Sequence, residues 1–305
     1  MPKRKLISFD WAMKKLLRSK ANFEILEGFL SELLREEIRI LELLESEGNK
    51  EDVRDKFNRV DLKVKNEKEE IIIIEVQYDR EFDYLQRILF GTSKVITEHL
   101  HESNPYLKVA KVISINILYF DLGHGDDYIY HGTTSFRGLH EQDVLQLSDE
   151  QRELYGKDAL YEVFPESYLI KVNKFDDIAK DTLDEWIYFL KNEEIKNDFK
   201  AKGIKKAKQE LDILKLSDEE RRAYERYQDD LHYQASMVES TYAAGVNKGI
   251  KQGVEQGIEQ GMKKGEQQKA VEIALKLIEK GVLDDNEIAE MTGLAVEQVG
   301  DLRKQ

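Results

Sequence analysis

Two short runs with strand periodicity, separated by a four-residue polar turn, constrain this chain more than any other feature. From Arg59 to Lys65, Val60, Leu62 and Val64 point to one side of an extended strand, while Asp61, Lys63 and Lys65 point to the other. Asn66-Glu67-Lys68-Glu69 is turn-forming, and Glu70 to Tyr78 is a second strand dominated by four consecutive isoleucines. A hairpin centred on Lys68 sets Asp61 directly across from Glu75, each seven residues from the centre. Directly opposed side chains lie about 4.5–5.5 Å apart at Cβ. Two carboxylates at that spacing repel each other, and they are near enough to share one hard cation such as Mg²⁺. Gln77 lies two residues beyond Glu75 and shares its face. An exposed polar face on an edge hairpin would tolerate the same pattern. The isoleucine run weighs against that: so apolar a strand is expected to be buried on both faces, where an unpaired carboxylate is costly.

The rest of the chain supplies partners for the hairpin. Residues 9–35 read as helix, broken near Ser19–Asn22, with Asn22 as a cap for the apolar series Phe23, Leu26, Leu30, Leu33 and Leu34. Ile38 to Leu44 is a short strand, and Phe82 to His101 reads as helix. Lys108 to Phe120 is the most strand-like segment and is expected at the centre of the sheet; Tyr128–Phe136 and Tyr168–Val172 are further strands. From Asp181 onward the pattern is helical, around Trp186, Phe189, Leu211 and Leu214. Helix, strands, helix, strand: this order predicts an α/β fold, a mixed sheet flanked by helices, with an all-helical C-terminal region.

The tail has its own pattern. Glycine recurs every fourth residue from Gly245 to Gly265, and Val246, Ile250, Val254, Ile258 and Met262 follow the first five glycines. A period of four advances about 40° per step on an α-helix, so the apolar stripe winds about 200° around it and forms no straight seam. Interior glycines each cost roughly 1 kcal/mol relative to alanine, which favours a weakly helical spacer over a close helix–helix contact. The expected organisation is a sheet domain over residues 1–195, a helical extension over 196–240, the glycine repeat over 241–267 and a small helix-turn-helix-like module over 268–305.

Charge and composition exclude several classes. The 305 residues contain no cysteine, so disulfides and thiolate metal sites are excluded. Neither an apolar leader core nor a bilayer-length apolar run is present, and a cytoplasmic location is the default. A net charge of −14 weighs against a simple polyanion binder. The lysines between Lys196 and Lys208 form a local basic cluster, either a solvated helix face or a phosphate-tracking surface. Phosphate-cradling glycine loops, nucleophile elbows and zinc motifs are missing.

Asp61, thirteen intervening residues, then Glu75-Val76-Gln77, with apolar residues before both acids, resembles the split motif of the PD-(D/E)XK nuclease superfamily. More narrowly, the chain looks like the PD-(D/E)XK family transposases, also described as recombination-promoting nucleases. The opening Phe9-Asp10-Trp11-Ala12-Met13-Lys14-Lys15 is similar to that family's Asp-x-x-Phe-Lys start, with Met13 in place of phenylalanine. Arg87, the glycine-repeat tail and Ile288-Ala289 through Thr292-Gly293-Leu294 also match in order and spacing. The resemblance implies a restriction-endonuclease-like fold and a magnesium-dependent DNA endonuclease, a hydrolase with Mn²⁺ as an alternative ion, working in transposition, DNA recombination or defence. It implies Asp61 and Glu75 as metal ligands, with Asp10 and Lys14 completing the catalytic set. Gln77 stands where the superfamily more often has lysine.

A Mg²⁺ ion held by two carboxylates polarises a phosphoryl oxygen and acidifies a bound water. Glutamine can orient water or phosphate but brings no charge. Lys14 or Lys63 must then supply the cation, or activity is lower. Lys63 and Arg87 are the expected DNA contacts, although for Arg87 pairing with a carboxylate competes with that role. DNA is the expected partner, a membrane is not, and the C-terminal helices allow a homo-oligomer. One rival is a catalytically degenerate nuclease fold that binds DNA or protein. A second is a regulator acting through the C-terminal module, disfavoured because Glu297 and Asp301 oppose a single arginine on its last helix.

Overall fold

Residues 6–44, 61–100 and 105–304 are described by the computed structural model. They form two compact units, residues 1–235 and 236–305. The first is built on a six-stranded mixed sheet of order β1-β2-β3-β4-β6-β5. Its strands are β1 (Ile40–Leu43), β2 (Leu62–Asn66), β3 (Ile71–Gln77), β4 (Val112–Leu118), β5 (Ile129–Gly132) and β6 (Glu166–Lys171). The β1-β2-β3 ladders and the β5-β6 ladder are antiparallel, whereas β3-β4 and β4-β6 are parallel. All seven side chains of β4 are buried, as expected of a strand between parallel neighbours and covered on both faces.

The hairpin closes as its sequence requires. Leu62 pairs with Ile74, Lys63 with Ile73, Val64 with Ile72 and Lys65 with Ile71. The Asn66 side chain folds the turn by accepting from the amides of Lys68 (3.0 Å) and Glu70 (2.9 Å). Along β3, Ile72, Ile74 and Val76 join the main core, while Ile71 and Ile73 pack with Val95 and Val112 beneath α3 (Tyr84–Glu98). The isoleucine run is therefore buried on both sides. Residues 59 and 60, expected to begin β2, and residue 101, expected to end α3, lie outside the described residues.

The main core is covered by α1 (Phe9–Lys15), α2 (Phe23–Leu34) and α5 (Thr182–Asn192). Phe9, Phe29, Trp186 and Phe189 meet edge to face at centroid distances of 5.3–6.2 Å. The break between α1 and α2 falls where expected, but Asn22 does not cap α2. Its amide donates to the Leu16 carbonyl instead (3.0 Å), which fastens the break itself.

The core does not end at residue 195. Ile204 and Ala207 of α6 (Ile204–Glu210), Leu211 and Tyr224 are buried in the same cluster, so the boundary expected there falls inside this unit. Gly28 and Gly203 make the contact: a Cβ on Gly28 would run into the Lys202 carbonyl, and one on Gly203 would lie 2.7 Å from the Glu24 carbonyl. Between β5 and β6 lies α4 (Asp149–Tyr155), begun by a Ser148–Gln151 capping box.

The second unit takes most of α7 (Asp218–Lys280), then α8 (Asp285–Thr292) and α9 (Val296–Arg303). The glycine repeat is helical throughout, within α7. Apart from the adjoining residues and backbone of the same helix, no described atom lies within 4 Å of where a Cβ would sit on Gly245, Gly249, Gly253, Gly257, Gly261 or Gly265, and the aliphatic residues that follow are exposed. Farther on, Ala274, Ile288, Ala289, Leu294 and Val299 form a small core, with Gly293 in the left-handed turn between α8 and α9.

Candidate active site

Continued by one residue beyond the last ladder pair, the hairpin register sets Asp61 opposite Glu75. Asp61 precedes β2, and its Oδ2 accepts the amide proton of Val76 at 2.8 Å, clasping the open end of the hairpin. Asp61 and Glu75 line one cavity of about 190 Å³ together with Asp10, Lys14, Gln77 and Arg87. The family-derived pair from α1 thus meets the hairpin pair. Asp10 is buried and bound by Lys14, whose Nζ lies 2.8 and 3.0 Å from its two oxygens and 3.4 Å from Asp61 Oδ1. Asp10 is no helix cap: Ser8 holds that position, without a side-chain bond.

Arg87 of α3 forms an ion pair with Glu75 and bonds Glu81 at 2.7 Å, so its guanidinium is committed to carboxylates. Gln77 donates its amide to Glu81 Oε1 (3.0 Å) and the Asp79 carbonyl (3.3 Å). Lys63 is the exception among the expected residues. It is 5 % exposed, bonds Glu98 near the end of α3 at 3.2 Å, and lies outside the cavity, which corrects its expected role as a DNA contact. Strand alternation assigns its face correctly but says nothing of which helix residue waits there. In the lysine cluster, Lys202, Lys206 and Lys208 bond Glu37, Glu210 and Asn197, and Lys196 lies over the Tyr188 ring.

Burial sets the electrostatics. It pushes Glu75 up to about 7 despite Arg87, with Asp61 and Glu81 adding in the same direction. Burial also raises Asp61, with Asp10 contributing, while Lys14 and the Val76 amide pull the other way. For Lys14, burial favours the neutral form, but Asp61 and Asp10 outweigh it and hold the ammonium charged. Glu75 Oε1 is buried and accepts no hydrogen bond beyond its ion pair. Hard oxygen donors that resist ionisation unless a cation offsets them fit a divalent ion. No group of three or more acidic or histidine side chains that could hold a metal ion converges among the described residues.

Sequence reasoning missed Tyr227. Near the start of α7, its hydroxyl donates to Asp10 Oδ2 across 217 positions. Next to it, the Tyr224 hydroxyl accepts the Ser8 amide at 3.0 Å. Both tyrosines stand in a charge-rich helical stretch, and no local periodicity ties them to residues 8–10.

No helix among the described residues is long and apolar enough to cross a membrane. No curated protein and no solved structure matches the chain. One family model does, described as PD-(D/E)XK nuclease family transposase, and it spans residues 7–241, from the start of α1 past Tyr227.

Proposed function

Because the chain belongs to the PD-(D/E)XK nuclease family transposases, a nuclease-related fold, we propose that it is a DNA endonuclease hydrolysing phosphodiester bonds with a divalent cation, in transposition, recombination or defence. The observation that carries this is the meeting of Asp61, Glu75, Gln77, Asp10 and Lys14 at one cavity, drawn from two segments of the chain. Asp61 and Glu75 would hold Mg²⁺, with Mn²⁺ as the alternative. When bound, the ion supplies Lewis acidity toward the phosphoryl oxygen and acidifies the attacking water.

The other roles belong to the chain. Lys14 places a positive charge at the Asp61 edge, where it can meet a phosphate oxygen, and so stands in for the lysine that Gln77 lacks. Asp10 orients that ammonium, and Tyr227 holds Asp10. Gln77 keeps its carbonyl oxygen as an acceptor for water. One observation favours the rival, a retired nuclease that only binds: Arg87 and Lys14 already neutralise the two carboxylates.

Plasmid cleavage across Mg²⁺ and Mn²⁺ concentrations separates the two. Metal-dependent nicking by wild type is expected, falling at least about a hundredfold in Asp61→Ala and Glu75→Ala variants that keep wild-type circular dichroism. Full activity in either variant removes the site assignment. No cleavage by wild type or by Gln77→Lys at any metal concentration leaves the binding protein as the better account.

A further inference from the structure

A second cavity, of about 330 Å³, is walled by Tyr78, Tyr119 and Tyr227 and shares Tyr78, Asp79, Leu231 and Gln234 with the carboxylate cavity. Its volume is at the low end of the roughly 300–1,000 Å³ typical of small-molecule sites, room for one flat heterocycle and not for a base pair. Tyr78 and Tyr119 stack on each other at 4.3 Å and 15°, and Tyr227 is held by Asp10, so the aromatic surfaces are fixed in advance. A pre-ordered aromatic wall favours a planar ligand.

Its polar groups narrow the ligand further. Ser8 lines the cavity; its Oγ is buried and has no hydrogen-bond partner among the described residues, although the Ser8 amide is satisfied by Tyr224. A buried hydroxyl left unpaired is a cost that a ligand can remove. Gln228 donates its amide to Tyr224 (3.1 Å), which leaves its carbonyl as an acceptor. Asp79 adds a carboxylate to the lining. Acceptors and negative charge repel phosphate and suit amino donors. Lys14 and Arg87, the cations, line only the neighbouring cavity.

We propose that this second cavity receives a nucleobase turned out of the DNA stack, beside the phosphodiester held at Asp61 and Glu75. The proposal rests on DNA being the substrate, and it divides one nucleotide between two compartments. The phosphate goes to the carboxylate one, beside Lys14 and Arg87, and the base to the aromatic one. Unstacking is costly, and stacking on tyrosine together with a partner for Ser8 Oγ offsets it. Adenine, cytosine and guanine carry exocyclic amino groups and are accepted ahead of thymine.

The test uses the full chain and a duplex with one abasic tetrahydrofuran unit placed in turn at each position flanking the cut. One position is expected at which base removal lowers wild-type kcat/KM at least tenfold. Ser8→Ala should lower cleavage of intact DNA and add nothing further on that abasic duplex. Base removal without effect at every position, or losses that simply multiply, overturns the proposal while leaving the nuclease assignment standing. A measurement independent of cleavage uses a single-stranded oligonucleotide carrying 2-aminopurine, in EDTA. Wild type should change its emission saturably, and Gln228→Trp, which fills the cavity from α7, should abolish the change. That response without cleavage in any metal keeps the cavity and retires the nuclease. Absence of both the response and cleavage overturns the two together.

Discussion

Glu75 meets two conflicting demands in the metal-free protein: burial favours its protonated form, and Arg87 favours its charged one. Burial wins, taking the group from 4.5 to about 7. The native state therefore binds this proton more tightly than the unfolded chain does. The stabilisation it brings is complete below the unfolded value and is lost as pH rises through 7. In EDTA, wild type should lose about 2.5 kcal/mol relative to Glu75→Gln between pH 5 and 8, read by thermal melting. Saturating Mg²⁺ should flatten the difference, because the ion replaces the proton. Parallel pH profiles for the two proteins would show that Glu75 is solvated. At this scale the sequence revealed what strand geometry controls: counting from Lys68 places Asp61 opposite Glu75. It was silent on contacts set by folding at a distance, such as Lys63 with Glu98 and Tyr227 with Asp10.

Glycine shows how one residue type serves opposite ends in different elements. Alanine is favoured over glycine in a helix by about 1 kcal/mol, so that gain is available at every helical glycine. At Gly28 the added methyl meets the Lys202 carbonyl, where α6 seats on α2, and overpacking of about 1–3 kcal/mol exceeds the gain. At Gly257 nothing lies near, and the gain remains. Gly28→Ala should therefore melt below wild type and Gly257→Ala should add helical stability, both followed by circular dichroism. A Gly28→Ala protein as stable as wild type would mean that α6 can shift without cost. The two glycines look alike in sequence, since each sits among helix formers, and only the packing partner separates them. Strands β3 and β4 were legible from their β-branched runs and β2 from its alternation. The short helix α4 was overlooked because it has no apolar stripe, although Ser148 and Gln151 spell its capping box.

For the whole molecule, a net charge of −14 coexists with a cavity whose cations, Lys14 and Arg87, are held by carboxylates. The first compact unit reaches Ala235 and the family match reaches residue 241, so the early part of α7 belongs with the sheet. Truncation after Ser240 should preserve metal-dependent cleavage within about twofold. Truncation before Asp218 removes Tyr224 and Tyr227, and should lower cleavage at least tenfold along with the melting temperature. Loss of all activity in a folded chain ending at Ser240 would assign the tail a catalytic part. The bond between Asp10 and Tyr227 also bears on how the protein is made. Asp10 leaves the ribosome 217 positions ahead of its partner, an interval of about 10–40 s at ordinary rates of synthesis. Through that interval the nascent chain holds Asp10 without the tyrosine that bonds it, and the site is completed only once the domain has been translated almost to its end.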